Sequence, residues 1–329
     1  MTRDMQILIT GATGFIGVEL VAQLLEQTDA TLKLAIRQIS RYKIKAYLNH
    51  DRIMLTTIPD ISIHTNWKEA LEDCQVVIHA AGRAHVMQEY AHDPLRAFRA
   101  INVEGTLNLA RQAVSMGVKR FIYLSSVKVN GEYSERNAPF SPDDEAMPEN
   151  PYSISKYEAE QGLKAISEKS GMEVVIIRPP LVYGPGVGGN FLFMMKFLEK
   201  QYPLPFGALK NKRSLVFVGN LVAMIKTCLA HTQAANQIFF VSDHEDLSTS
   251  TLIQKVKHLL GKHAVLLPIP VWMLKKVSTY CGKQSEIMRL CDPLQVDISK
   301  SKMLLDWQPT ISVNEGLSRT VHYFLKQVK

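Results

Sequence analysis

Apolar residues over the first 180 positions follow two alternating rhythms. Short runs dense in leucine and β-branched residues read as strands: QILIT (6–10), LKLAIR (32–37), IMLTTI (53–58), QVVIHA (75–80), RFIYLSS (120–126) and EVVIIR (173–178). Between them apolar residues recur at helical spacing, as with Phe15, Ile16, Leu20, Val21, Leu24 and Leu25 over 15–27. Further helices are predicted at 94–116 and 153–169. The strand runs have no polar face, so both of their faces must be covered. A parallel sheet with helices on either side meets that demand.

After residue 178 the rhythm breaks. Pro179, Pro180, Gly184, Pro185, Gly186, Gly188 and Gly189 make a loop-rich passage, and mostly helical segments follow. One late run, QIFFVSD (237–243), resembles a strand returning to the sheet. The expected division is a first domain of 1–178 and 214–245, interleaved with a smaller, mostly helical lobe of 179–213 and 246–329. No internal repeat or low-complexity segment is evident. PIPVWMLKKVSTYCGK (268–283) is apolar and basic, as interfacial membrane helices are, but a core or lid helix with a few exposed lysines is the simpler expectation. No uninterrupted apolar stretch reaches about 18 residues, so no membrane span is expected.

Composition narrows the class. With 329 residues, 46% of them hydrophobic, the chain can bury an enzyme-sized core. Its formal charge of +7 is spread along the chain, without an aromatic–basic repeat or helix-turn-helix signature. That argues for an anionic small molecule and against nucleic acid. The four cysteines, Cys74, Cys228, Cys281 and Cys291, lack metal-site spacing and read as reduced thiols; no metal is expected. The first strand follows the N-terminus without room for a signal peptide, so a cytoplasmic protein is expected.

GATGFIG (11–17) stands where the first strand turns into the first helix. A dinucleotide-binding fold needs glycine there: Gly11 for the turn, Gly14 for approach to a pyrophosphate, Gly17 for helix–strand contact. Thr13, Phe15 and Ile16 belong to the same cradle, whose amides and helix dipole favour an anion. With the strand pattern, this predicts a Rossmann-type doubly wound α/β fold. No acidic residue lies between Asp29 and Asp51 to hold a ribose 2′-hydroxyl; Arg37, Arg41 and Lys43 stand there instead. A guanidinium suits a 2′-phosphate, so NADP(H) is favoured and NAD(H) stays possible. Asp60 and Ile61 follow the third strand and Ala80, Ala81 and Gly82 the fourth, at strand ends where such sheets bind ligands.

YSISK (152–156) sets Tyr152 and Lys156 four residues apart on one helix face. A phenol is a poor base at neutral pH, and a nearby ammonium or an oxidised nicotinamide favours its phenolate. Ser125 and Ser126 end the preceding strand, where a hydroxyl can meet the same substrate oxygen. Together GATGFIG, HAAG, INVEGT, LSSVKVNG, PYSISK, RPPLVYGPG and DISKSKMLLDWQP resemble the extended short-chain dehydrogenase/reductases, in their nucleotide-sugar epimerase/dehydratase/reductase branch.

That resemblance implies Ser126, Tyr152 and Lys156 as catalytic residues, with Lys156 also on the nicotinamide ribose. It implies Pro179 and Val182 along the nicotinamide pocket, and Asn102 as a helix-stabilising or relay residue, unless it is merely an exposed helix position. Asn190 and Arg213 match positions that grip a substrate diphosphate; Arg83 and His85, after HAAG, would face the sugar. Asn130 replaces the family's tyrosine, and Gly219-Asn220 replaces an acidic residue, so contacts at both are open. Relatives commonly dimerise through the helices at 94–116 and 153–169, and a homodimer is expected.

The hydroxyl strand narrows the reaction. Dehydratases follow the hydroxyl with Asp-Glu, whereas this chain has Val127-Lys128, and it lacks the cysteine of the 3,5-epimerase/reductases. HAAGRAHV, SSVKVNGE and RPPLVYGPGVGGNF resemble bacterial O-antigen enzymes that reduce a UDP-4-keto-6-deoxy-N-acetylhexosamine. A 4-epimerase with tightly held NAD is the alternative. A non-catalytic NADP(H) sensor is a remoter one, since this chain keeps both Tyr152 and Lys156.

Overall fold

The computed structural model describes residues 5–47, 49–84, 93–280, 282 and 284–328. Its strands are β1 (Gln6–Thr10), β2 (Thr31–Ile36), β3 (Ile53–Thr57), β4 (Val76–His79), β5 (Arg120–Leu124), β6 (Glu173–Arg178), β7 (Leu181–Tyr183), β8 (Leu215–Phe217) and β9 (Ile238–Phe240). Seven of them pair in parallel in the order β3-β2-β1-β4-β5-β6-β9. The fold is a Rossmann-type doubly wound sheet, and QIFFVSD does return to it, as β9 beside β6. β7 and β8 form a separate parallel pair.

The helices are α1 (Phe15–Gln27), α2 (Lys68–Leu71), α3 (Pro94–Arg99), α4 (Thr106–Ser115), α5 (Pro151–Ser170), α6 (Gly189–Glu199), α7 (Val218–Ala230), α8 (Thr249–Leu259), α9 (Val271–Tyr280), α10 (Gln284–Cys291), α11 (Ser299–Leu305) and α12 (Val313–Val328). Alternate strand residues feed opposite faces of the sheet. Ile7, Ile9, Leu32 and Leu34 join one core with Leu20, Leu24, Leu221 and Ile225 of α1 and α7. Leu8, Val77, Phe121 and Tyr123 join the other with Leu109 and Leu163 of α4 and α5. A third core, under α6, α8 and α12, gathers Phe191, Met195, Val256, Leu317 and Val321.

Two expectations need correction. The single helix expected over 94–116 is interrupted by a π-helical turn at Ala100–Gly105. The wider turn holds one residue more per hydrogen-bonded ring, a distortion that recurs at functional sites. The segment 268–283 does contain a helix, α9, but not a core helix exposing mainly lysines. Only Leu274 and Ser278 are buried on it, and Trp272, Met273, Val277 and Tyr280 face outward. No described helix is long and apolar enough to cross a membrane.

Candidate active site

The turn after β1 is built around glycine for steric reasons. Gly11 has φ +77°, and a Cβ there would lie 2.7 Å from the backbone nitrogen of Ala81 on the neighbouring strand end. A Cβ on Gly17 would lie 2.0 Å from the Gly11 carbonyl oxygen, so α1 can start this close to β1 only with glycine. Gly14 caps α1 without a side-chain hydrogen bond, and no acidic residue occupies the first turn. The first-turn amides, which no helix satisfies internally, therefore face a space free of side chains and of negative charge. These residues fit a dinucleotide pyrophosphate. Phe15 and Ile16 turn back onto the third core, tying the cradle to the helices that build it. Thr13 stays partly exposed beside them.

At the adenosine end, Arg37 is exposed immediately after β2, and its carbonyl oxygen accepts from the Ser40 amide at 2.8 Å. The side chains of Arg41 and Lys43 lie outside the described residues. Asp60 is exposed, and its carboxylate accepts from the hydroxyls of Ser62 and Thr65, each at 3.1 Å, so it also organises its own turn. Ile61 packs against Gly105, where a Cβ would come within 2.7 Å of its Cγ2.

The end of β4 is held from both sides. His79 is buried, with Nδ1 2.7 Å from the Thr10 hydroxyl and Nε2 2.9 Å from that of Thr106. Burial, and secondarily the positive Lys156, push its pKa down to about 3, so it is neutral. Ala80 and Ala81 hydrogen-bond Thr10 across the sheet, at 3.3 Å each. Gly82 passes beneath the site, and a Cβ there would meet Asn102 Oδ1 at 3.1 Å and Lys156 Nζ at 3.3 Å. Asn102 is not an exposed helix position: it is buried on the π-helical turn. Its Oδ1 accepts from the Arg83 amide, and its Nδ2 donates to the Arg83 carbonyl and the Ser155 hydroxyl. It thus clamps the strand end to α5.

Local sequence fixes where α5 begins. Asn150 caps it, accepting from the Ser153 amide at 2.9 Å while Ser153 returns the bond, and Pro151 follows the cap. Tyr152 therefore stands on the first turn and Lys156 on the second. The Lys156 ammonium donates to the Leu124 carbonyl at 2.8 Å and lies 4.6 Å from the centre of the Tyr123 ring. Burial pushes it down to about 8, against the opposing pull of Glu160.

Ser126, just past β5, is buried, accepts from the Lys128 amide at 3.2 Å, and acts on the Tyr152 phenol. The phenolate expected from Lys156 is not what the protein's own groups favour. Burial pushes Tyr152 up to about 12, with the Ser126 hydroxyl pulling the other way. At neutral pH the phenol keeps its proton and is a donor. An oxidised nicotinamide is the further positive charge that would lower it.

Under these residues runs a network that motif reading missed. Glu160, one turn beyond Lys156, is fully buried and pairs with Arg178 of β6, at 2.9 Å to Nε and 2.5 Å to Nη2. It also accepts from the Ser125 hydroxyl at 2.5 Å. Asn130, in place of the family's tyrosine, accepts from Arg178 Nη1 at 2.8 Å and completes the guanidinium's shell. The available signal was the i, i+4, i+8 series Tyr152, Lys156, Glu160. A glutamate on an otherwise inward helix face demands a buried cation.

On the substrate side, the Arg83 guanidinium lies 5.3 Å over the Phe98 ring, which meets the Tyr152 ring edge-on at 6.0 Å. Arg83 is therefore close to the candidate acid. His85 lies outside the described residues. Lys128 pairs with Glu132 at 3.1 Å, and Glu132 also meets Arg289 of α10 at 3.5 Å and the Asn150 amide. Arg213 donates to the Asp292 carbonyl at 2.8 Å, and both it and Arg289 add to the positive field at Lys128. Burial, the largest effect, and these two guanidinium groups together lower the Lys128 pKa.

Arg289 was not singled out from the sequence, because nothing near it in the chain marks it; only the packing of α10 brings it here. Asn190 is exposed on the first turn of α6. Asn220, in place of an acidic residue, is structural: its Nδ2 donates to Asp243 at 2.7 Å and to the Ile311 carbonyl at 2.8 Å. Pro179 accepts from the Val127 amide at 3.0 Å and so fixes the chain after Ser126, with Val182 half-buried nearby on β7. Among the described residues no group of three His, Cys, Asp or Glu could hold a metal ion.

The same arrangement recurs in known proteins. The chain is 44% identical over 321 residues to a UDP-glucose 4-epimerase from Vibrio cholerae, covering 97% of this chain and 95% of that one. It is 27% identical over 333 residues to an N-acetyl-alpha-D-glucosaminyl-diphospho-ditrans,octacis-undecaprenol 4-epimerase from Escherichia coli O157:H7, covering 96% and 94%. Among solved structures, a UDP-glucuronic acid 4-epimerase from Bacillus cereus in complex with NAD superposes with a TM-score of 0.80 at 21% identity, over 99% of this chain and 100% of that one. The pattern of the NAD dependent epimerase/dehydratase family matches residues 7–241. The chain belongs to the NAD dependent epimerase/dehydratase family.

Proposed function

We propose that this protein reduces the C4 keto group of a UDP-4-keto-6-deoxy-N-acetylhexosamine, using NADPH, in the building of a bacterial surface polysaccharide. The observation that carries this reading is Tyr152, a phenol whose pKa burial raises further, to about 12, so that it holds a proton to donate beside the Ser126 hydroxyl. The Tyr152 hydroxyl gives its proton to the C4 oxygen while the Ser126 hydroxyl holds that oxygen in place. The bound cofactor supplies the hydride that completes the alcohol. Lys156, held by the Leu124 carbonyl, would bind the nicotinamide ribose, and Asn102 keeps the Gly82–Arg83 backbone against the site. Arg213, Arg289 and Lys128, gathered about Glu132, form a basic wall suited to the substrate diphosphate, and the proposal counts Asn190 as a further diphosphate contact. Lys128 engages Glu132 where a dehydratase needs a carboxylate pair, which argues against elimination of water.

NADPH is preferred in this proposal because Arg37 is exposed at the end of β2, where a 2′-phosphate would lie. Arg37→Asp should raise KM for NADPH by about tenfold or more while leaving that for NADH within about threefold, read from initial rates. A homodimer packed through the helices of 94–116 and α5 belongs to the same proposal.

A second reading, 4-epimerisation of a UDP-hexose or UDP-N-acetylhexosamine with retained NAD, draws on the Vibrio cholerae relative. One experiment separates them: the purified protein is incubated with NADPH and a UDP-4-keto-6-deoxy-N-acetylhexosamine. Stoichiometric loss of reduced-cofactor absorbance supports reduction. No oxidation, together with interconversion of UDP-GlcNAc and UDP-GalNAc or of the glucose pair, overturns it in favour of epimerisation.

A further inference from the structure

We infer that α9 is a membrane-surface anchor whose outward stripe seats the protein on the headgroup layer of an anionic lipid bilayer. Around the helix, Trp272, Lys276, Tyr280, Met273 and Val277 follow one another on a single arc, and Leu274 and Ser278 fill the opposite one. The inward arc packs on Leu209 and Cys291, and among the described residues the outward arc joins none of the hydrophobic clusters. Its exposure is large for such residues: 67% for Trp272, 59% for Val277 and 83% for Tyr280. Val265 and Leu267, just upstream in the chain, are exposed as well. Single exposed apolar residues are ordinary on soluble proteins, but tryptophan, tyrosine, valine and methionine gathered on one helix are not.

Charge identifies the occupant. From Leu247 to Ser285 the chain holds six lysines and not one aspartate or glutamate. Lys276 stands inside the apolar arc, between Trp272 and Tyr280, where its stem can lie along apolar surface with the ammonium at the phosphate level. Lys275 is drawn off to Asp292 at 2.9 Å, behind the stripe. A second copy docked on this face would set Lys276 against Lys276, a repulsion that Asp292, already drawn to Lys275, does not relieve. An anionic bilayer answers both the apolar and the basic character, and tryptophan and tyrosine prefer the depth of the headgroups. α9 has 10 residues, too few to span, so it would lie in the plane of the interface. The Lys275–Asp292 link places this helix one contact from Arg213 of the candidate diphosphate wall.

The intact protein carries its own reporter, because Trp67 and Trp307 are buried and Trp272 is the exposed one of three tryptophans. Vesicles of phosphatidylglycerol and phosphatidylethanolamine in equal parts should shift the tryptophan emission to the blue and carry the protein down on centrifugation. Vesicles of phosphatidylcholine should do both more weakly, and added salt should release the protein from the anionic ones. Replacing Trp272, Val277 and Tyr280 together by serine should lower the partition coefficient by about tenfold or more. Lys276→Glu should lower it by about fivefold or more on anionic vesicles. Both variants are checked for an unchanged Tm and for retained cofactor binding. Absence of the emission shift and of co-sedimentation in the unmodified protein at low salt overturns the inference. So does a dimer, seen by light scattering, that the serine variant dissolves, since the face would then lie between copies.

Discussion

Tyr152 and Glu160 stand two helical turns apart, and their environments decide what each can do. Tyr152 has its proton secured by burial, and in the proposed reaction its hydroxyl hands that proton to the C4 oxygen beside Ser126. Tyr152→Phe should lower kcat by about a hundredfold or more while cofactor affinity, measured by fluorescence titration, stays within about threefold. Glu160 reaches no substrate; it neutralises Arg178 and raises the Lys156 pKa. Glu160→Gln leaves the guanidinium without its counter-charge in the core, at a cost of about 3–5 kcal/mol, readable from urea unfolding. It also removes a charge that stabilises the Lys156 ammonium. The alkaline limb of the rate profile should therefore move to lower pH, which loss of stability alone would not cause.

At the scale of elements, the site depends on how closely β1, α1 and β4 approach one another. Gly17 abuts the Gly11 carbonyl, and no side-chain rearrangement relieves that contact because both partners are backbone. Gly17→Val should push α1 off the sheet, abolish dinucleotide binding in a titration, and lower Tm. Gly14→Ala meets no backbone closer than 3.2 Å, so it should keep the fold and weaken the cofactor by about tenfold. The π-helical turn is the other element-level device. By widening one turn it brings Asn102 inward, where a regular helix continuing α3 would have been the expectation from spacing alone.

For the whole molecule, sensitivity to acid is a consequence of His79 lying between β1 and α4. Its pKa falls from an ordinary 6.5 to about 3 on folding, so between those values the unfolded chain binds the extra proton and the folded one does not. Stability is therefore lost as pH drops through this window. Lys156, pressing on the imidazole, and Tyr123, stacked on it at 5.8 Å, are the groups that face it besides the two threonine hydroxyls. The urea midpoint should fall between pH 6.5 and 5, above the range where carboxylates titrate, and His79→Gln should flatten that slope.

The apolar rhythm by itself determined the parallel sheet, six strand positions and the long helices. A strand buried on both faces is mostly apolar, its few polar residues needing partners, and that constraint is local and visible along the chain. Close spacing did the same for the glycine turn and for Tyr152 and Lys156, since helix geometry alone sets residues four apart on one face. Tertiary structure decided what joins distant segments. Arg178 meets both Glu160 and Asn130 because β5, β6 and α5 converge, and Arg289 reaches Glu132 because α10 folds back beside it. Neither pairing has a sequence period to betray it. The phenol's proton was likewise beyond the sequence, because desolvation depends on every atom packed around Tyr152 and the motif shows only one nearby charge. The outward face of α9 belongs to the same class: its composition was legible, but which arc found a partner was fixed only when Leu274 packed against Leu209 and Cys291.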